Sequence, residues 1–261
     1  MTEKTLRQSF PLSWTFHANT MRWAHNAEPP PEDVAPSSPR EDSQLKTVPL
    51  PGPINLSQTL EEAIEDRCSC RVFDNEPLDF AKLGTILKRA YGVTGIETFG
   101  RMDFPSRPVP SGGGLYPLEI NLVCQNVAGL PPGIYHYLPE LNVLECVQEA
   151  VLPAVLLTYL FMGQHKLVSA PVLIVVSAVL ERSMKKYGDR GYRYVLFEAG
   201  HVVQNMNLVS TALGLGACNM GGFFDDELAK LIGLNTEIEV ALYATAIGNR
   251  STNDRWEMRD I

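Results

Sequence analysis

The chain has 261 residues, of which 45% are apolar, 20% charged and 8% aromatic, a globular balance that excludes wholesale disorder, a collagen-like repeat and a coiled coil. At about 150 residues per domain, the length fits one large domain with an extension. A formal net charge of -8 produces a field that repels phosphate, so neither nucleic acid nor an anionic membrane surface is an expected partner.

Met1–Arg22 interleaves Glu3, Lys4, Arg7, His17 and Arg22 with apolar residues and lacks the uninterrupted apolar stretch of a secretory signal. Ser13–His25 carries two tryptophans and His17, too aromatic for a solvated tail, and is expected to dock on the main body or on a partner chain. Eight prolines between Pro29 and Pro53 mark a linker or wrapping arm. Residues 1–53 are therefore read as an N-terminal aromatic segment and proline-rich arm, and 54–261 as the folded domain.

Leu60, Ala63, Ile64 and Arg67 fall at helical spacing behind a Thr59/Glu62 capping-box pair, which predicts a helix to about Arg67. A second helix is expected from its N-cap Asp79 to Gly92. Strands are predicted over Leu118–Gln125, Gly133–Leu138, Val143–Gln148 and Val172–Ala178, with Ala150–Met162 helical between the last two. The apolar run Leu167–Leu180 is too short to span a bilayer and reads as a buried strand with its approach. A long helix begins near Arg190, carries Val195, Ala199, Val202, Met206, Val209 and Leu213 on one stripe, and ends at Gly214–Gly216. Asp225–Ile232 is a short helix and Val240–Ile247 a closing strand. Helices mixed with hairpin-like strands, without regular strand-helix alternation, indicate an α+β fold with a central mixed or antiparallel sheet flanked by helices. Five cysteines, with no CxxC or HExxH pattern, suggest neither a disulfide scaffold nor a metal site, and favour a reducing, cytoplasmic setting.

Several constellations can carry chemistry. Arg67-Cys68-Ser69-Cys70-Arg71 offers two guanidiniums and a hydroxyl that can converge on one phosphate, or equally a helix end whose arginines satisfy the dipole. Pro110-Ser111-Gly112-Gly113-Gly114-Leu115-Tyr116-Pro117 lets backbone amides approach a flat or anionic ligand; a plain flexible turn is the alternative. The segment from Gly214 to Phe223 lacks the third glycine of a dinucleotide fingerprint and follows a helix, which rejects a Rossmann reading. Lys186 beside Tyr187 can favour a phenolate and so a proton acceptor, though most such pairs are surface residues. Glu198, His201 and Asn205 lie along one flank of the long helix, where satisfied buried polar residues are the readier explanation than a catalytic set.

Together these segments resemble the nitroreductase-like flavoproteins and, within them, the SagB-type dehydrogenases that include thiazoline and oxazoline oxidases. The matching elements are Arg67-x-Ser69-x-Arg71, Pro110 to Glu119, Lys186 to Tyr194, Glu198-Ala-Gly-His201 with Gln204-Asn205, and Gly214 to Phe223, while Phe16-His17-Ala18-Asn19 looks like a diverged N-terminal element. The resemblance implies an FMN-dependent oxidoreductase in an intertwined homodimer with both active sites at the subunit interface. It would place Arg67, Ser69, Arg71 and Arg250 on the FMN phosphate and ribityl chain. Ser111 and Gly112 would lie beside the isoalloxazine, with Met220, Gly221 and Gly222 near its reactive edge. Cys68 stands where the family often has arginine, a departure within the phosphate site. Lys186-Tyr187 would assist proton removal from an azoline-type ring in a peptide or carrier-bound substrate, with other biosynthetic enzymes as partners. An NAD(P)H-dependent nitro or quinone reductase of the same fold and a cofactor-free scaffolding protein are the alternatives; retention of Arg67, Ser69, Arg71 and the glycine elements argues against the last.

Overall fold

The computed structural model describes residues 11–20, 45–99 and 102–252; Trp23 and most of the proline-rich segment lie outside them. In chain order the elements are α1 (Pro11–Asn19), β1 (Thr47–Pro49), α2 (Leu60–Asp66), α3 (Phe80–Tyr91), the hairpin β2 (Gly95–Phe99) and β3 (Met102–Ser106), then β4 (Leu118–Cys124), β5 (Gly133–Leu138) and β6 (Val143–Glu149). There follow α4 (Ala154–Leu160), β7 (Val172–Val179), α5 (Leu180–Tyr187), α6 (Arg190–Ala212), β8 (Leu215–Met220), α7 (Asp225–Leu231) and β9 (Glu239–Asn249).

Seven strands form one sheet in the order β1-β6-β5-β4-β7-β9-β8, every neighbouring pair antiparallel. The meander β4-β5-β6 pairs locally, whereas β9 inserts between β7 and β8, so the last strand closes a sheet whose edge was laid down before it. Leu118, Ile120, Leu122 and Ile174 pack with α3 and α6 in one apolar layer. Val123, Leu173 and Val175 point the other way, toward α4, α7 and the 161–170 segment. Strand β7 is therefore buried on both faces and reads as a continuous apolar run, as expected of a central strand.

The helix starts agree with the sequence. Thr59 accepts from the Glu62 amide while the Glu62 carboxylate receives the Thr59 amide, and Asp79 accepts from the Lys82 amide. Beyond strand β1 and the β2–β3 hairpin, both unassigned from sequence, three segments differ. The helix expected over Ala150–Met162 is shorter, because β6 runs on to Glu149 and Pro153 caps α4. Gly214, at φ 71°, ends α6, and the glycine-rich stretch after it, unassigned from sequence, is strand β8. Gly216 is required there: a methyl group would collide with Cys70 Sγ. Leu180–Tyr187, unassigned from sequence, is helix α5. The described part of the aromatic segment, up to Thr20, docks on the main body: Arg190 and Arg193 donate to the Thr20 and His17 carbonyls, each at 2.8 Å, and Phe16 meets Tyr192 edge-on.

A band of buried polar side chains crosses the sheet. Glu119 takes Arg182 Nη1 on one oxygen at 2.6 Å and lies 2.8 Å from His136 Nε2 on the other. Burial alone would raise its carboxyl, but the His136 hydrogen bond and the His136 and Arg182 charges hold it down to about 2. The stability this ion pair contributes is thus present above the ordinary carboxylate range and lost as pH falls through it toward 2. Glu119→Gln, which leaves Arg182 buried without its counter-charge, is expected to lower stability at pH 7 by about 3–5 kcal/mol and to flatten the acid limb of a denaturation series. Unchanged stability and an unchanged acid limb would contradict this account.

Candidate active site

The Arg67–Arg71 segment leaves α2 and runs as an added lace along β8. Ser69 pairs in parallel with Ala217, the Cys70 amide donates to the Ala217 carbonyl at 2.9 Å, and Phe73 pairs with Arg250 at the end of β9. Cys70 is fully buried and anchors the lace, leaving Arg67, Cys68 and Ser69 half-buried and Arg71 exposed. Arg250 Nη2 donates to Cys68 Sγ at 3.1 Å, and both line a cleft of about 360 Å³ with Gln58, Asp66, Thr211, Gly214 and Leu215. The two sequence-distant parts of the expected phosphate site are thereby brought together. Of the expected set, Arg250 and Cys68 line the cleft beside the Asp66 carboxylate, while Arg67, Ser69 and Arg71 follow on the lace, where Arg71 Nη1 donates to the Ser69 carbonyl at 3.3 Å.

The second group gathers at the Ser111–Gly114 turn. Gly113 and Gly114 take φ values of 69° and 65°, and Ser111 Oγ accepts from the Tyr116 amide at 2.9 Å. A methyl on Gly113 would stand 2.7 Å from Tyr187 Oη and 3.2 Å from Lys186 Nζ, and one on Gly112 3.2 Å from the Tyr194 ring. Lys186 and Tyr187, at the end of α5, therefore close over the turn, with Tyr187 set edge-on to Tyr194 at 5.0 Å. Beneath it, Glu198 is only 2% exposed and lies 3.2 Å from Tyr91 Oη. The Arg107 guanidinium stacks 4.2 Å from the Tyr91 ring and 4.9 Å from that of Tyr116, and ion-pairs with Glu140 at 2.6 Å. Burial pushes the Glu198 carboxyl up to about 7, against hydrogen bonds from Ser111 and Tyr91 and the charge of Arg107. His201 is exposed, so Glu198 and His201 do not act together; Asn205 borders a separate groove.

Met220 ends β8 opposite Ala244 and is buried, and Gly221 has open space around it. Gln164 clamps the next residue, donating to the Gly222 carbonyl at 2.9 Å. The two main groups lie far apart within one chain. The Ser111 turn leads into Leu118, opposite Ala178, whereas Arg250 follows β9 past Ile247, opposite Val172. The seven residues of β7 from Val172 to Ala178 span about 20 Å at about 3.3 Å per residue. Tyr91 and Arg107 carried no motif signal: the first reads as the apolar end of an amphipathic helix, the second as a loop residue beside Pro108.

The collision at Gly113 supplies a test. Gly113→Ala adds left-handed backbone strain of about 1–2 kcal/mol and pushes on Tyr187 and Lys186, whereas Gly129→Ala, at φ 78° in open space, adds the strain alone. Denaturant melts should therefore show the larger loss for Gly113→Ala, together with faster amine labelling of Lys186. Equal losses and unchanged labelling would show that the turn and α5 are not in register.

Residues 64–249 match the Nitroreductase family. The chain is 38% identical over 174 residues to MJ1384 of Methanocaldococcus jannaschii, a candidate nitroreductase, over 66% of this chain and 83% of that one. It is 31% identical over 147 residues to the microcin B17-processing protein McbC of Escherichia coli, spanning 55% of this chain and about half (54%) of McbC. A crystal structure of a candidate nitroreductase from Anabaena variabilis superposes with a TM-score of 0.73 at 25% identity, over 96% of this chain and 49% of that one. A nitroreductase-like structure from Desulfovibrio desulfuricans in complex with FMN shares the fold, with a TM-score of 0.52 at 20% identity over 78% and 94% of the two chains. Since the family match runs from α2 to the end of β9 and takes in both the Arg67–Arg71 lace and the Ser111 turn, the chain belongs to the Nitroreductase family.

Proposed function

We propose that this protein is an FMN-dependent dehydrogenase that oxidises an azoline-type ring in a peptide or carrier-bound substrate. The observation that carries the reading is the closure of Lys186 and Tyr187 over the Ser111–Gly113 turn, which sets a phenol and an ammonium against the glycine-rich segment expected beside the flavin ring. Similarity to a microcin B17-processing protein and the FMN complex of a shared fold support it. When bound, FMN supplies the two-electron acceptor that ring oxidation needs.

The roles of the chain's own residues follow. Arg67, Ser69, Arg71 and Arg250 hold the phosphate and ribityl chain, and Cys68, tied to Arg250, shapes the cleft between them. Ser111 and Gly112 flank the isoalloxazine, and Met220, Gly221 and Gly222 border its reactive edge. Tyr187 takes the proton from the ring carbon, with the Lys186 ammonium favouring the phenolate. Because the phosphate and turn groups sit at opposite ends of β7, the reading requires a twofold dimer in which one chain's turn faces its partner's arginines. The groove between α2 and α6, lined by Leu60, itself 68% exposed, is a surface suited to that contact. Five cysteines in a chain this long, without the spacing of a disulfide scaffold, fit a reducing, cytoplasmic setting. The 38% identity to a candidate nitroreductase favours one second reading, NAD(P)H-dependent reduction of nitro compounds or quinones.

Two variants test the assignment. Replacing Arg67 and Arg71 together by alanine removes charge-assisted contacts of about 1.5–3 kcal/mol each and should strip FMN from an otherwise folded chain; undiminished affinity rules out this phosphate site. Tyr187→Phe should keep the flavin spectrum and reduction by dithionite while substrate-driven flavin reduction falls by about 10²–10⁴-fold. Turnover at the wild-type rate would assign proton removal to another group.

A further inference from the structure

Helix α6 opens against the grain of its own dipole. Arg190 is its first residue and Arg193 its fourth, no acidic side chain lies in that turn, and the Asp189 carboxylate ahead of it makes no capping hydrogen bond. Two cations at the positive end of a helix are a local cost. The end of α1 offsets it, because the last carbonyls of a helix lack backbone partners and carry its negative charge. Arg190 Nη1 donates to the Thr20 carbonyl and Arg193 Nη2 to the His17 carbonyl, each at 2.8 Å, and Arg193 Nη2 also lies 3.1 Å from His17 Nδ1. Apolar packing contributes less. Leu12 is 84% exposed and Phe16 39%, whereas Thr20 is 2% exposed, so α1 is held by its C-terminal end rather than by a buried apolar face.

From that end a line of contacts runs to the candidate site. The Arg190 guanidinium lies over the Tyr194 ring one turn along α6, 5.9 Å from its centroid, and Tyr194 meets Tyr187 edge-on at 5.0 Å. Tyr194 also backs the glycine turn, since a methyl on Gly112 would stand 3.2 Å from its ring. Tyr187 is the last residue of α5, and Gly188 after it takes φ 56°, so the backbone that carries the phenol leaves the helix at once. The phenol is placed by side-chain packing: its ring rests on Tyr194, and its hydroxyl would stand 2.7 Å from a methyl on Gly113.

We propose that α1 belongs to the active site: its C-terminal carbonyls fix Arg190, and Arg190 and Tyr194 are positioning residues that hold the Tyr187 phenol against the Ser111–Gly113 turn. The proposal rests on the reading of Tyr187 as proton acceptor and gives the N-terminal segment a part in that step. A segment that merely covered the corner between α5 and α6 would change melting and nothing at Tyr187.

Two substitutions in the full chain approach the contact from its two ends. Ala18→Pro breaks the last turn of α1 and turns His17 out of helical backbone, and Arg190→Met keeps an apolar stem while removing the donor. In the ligand-free protein, acylation of the Tyr187 hydroxyl by N-acetylimidazole, read by mass spectrometry, should speed up about threefold or more in each variant. It should rise no further in the double variant, since both act through one contact. With FMN bound, flavin reduction by a saturating thiazoline-containing peptide should slow by about 10–10²-fold in each, with the half-saturating peptide concentration unchanged, as a small displacement of a reacting group requires. Ala18→Pro lies outside the core and tests the proposal even if Arg190→Met does not fold. Wild-type labelling and a wild-type reduction rate in Ala18→Pro, with only its melting lowered, overturn the proposal, as does a double variant in which the two effects multiply. Tyr187→Phe that reduces flavin at the wild-type rate sinks the reading of Tyr187 as the base instead, and the labelling alone then decides whether α1 holds the phenol.

Discussion

Because β7 is apolar on both faces, its own alternation cannot tell one register from the next, and a slip of one residue would exchange two apolar layers at little cost. What pins it is the hydrogen-bonded polar file across three strands. Asn121 on β4 donates to Ser177 on β7 at 2.8 Å, and Ser177 donates to Glu239 on β9 at 2.6 Å. A slip would carry Glu119, Asn121 and Ser177 into the layer packed by α3 and α6, where nothing could satisfy them. Both candidate groups depend on this registration. The Ser111 turn enters β4 at one end of β7, and the Arg250 cleft closes β9 at the other. The Arg182–Glu119 pair extends the same file to α5, the helix that delivers Lys186 and Tyr187.

Two buried glutamates show how environment divides one side chain into two devices. Glu119 has a guanidinium and an imidazole within hydrogen-bonding distance and stays ionised at every pH at which the protein is expected to work. Glu198 has only hydroxyl partners, with Arg107 held off behind two tyrosine rings, so burial prevails and the carboxyl rises toward neutrality. The first holds structure together. The second sits against the Tyr91 hydroxyl and takes up its proton far more readily.

The sequence made legible whatever is local. The Thr59/Glu62 box and the Asp79 cap rest on contacts within a few residues of themselves, the stripe on α6 and the strands Gly133–Leu138 and Val172–Ala178 are written in composition and periodicity along the chain, and these elements stand where the sequence places them. Strand β8 was hidden because its glycine exists to admit Cys70, a partner about 150 residues distant in sequence, and low strand propensity masks such a position. Helix α5 was hidden by its lysines, which leave no apolar stripe long enough to read. Motifs also brought Arg67 to Arg71, Ser111, Lys186 and Tyr187 to notice, but not their arrangement. That the phenol covers the turn, that Arg250 reaches Cys68, and that Tyr91 and Arg107 wall in Glu198 are consequences of register, which spacing does not encode.

A chain with this turn, this cleft and this family membership is suited to moving electrons between a flat cofactor and a flat substrate, and the choice of substrate separates the two readings. The phenol over the turn is needed only if a carbon acid must lose its proton, as ring oxidation demands and simple hydride delivery from a nicotinamide does not. Anaerobic mixing of the flavin-loaded protein with a thiazoline-containing peptide in one syringe, and with NADPH in another, decides between them by flavin absorbance. The account predicts bleaching by the thiazoline peptide, with the matching thiazole recovered, and none on the same timescale with NADPH; rapid bleaching by NADPH with an inert thiazoline peptide would contradict it.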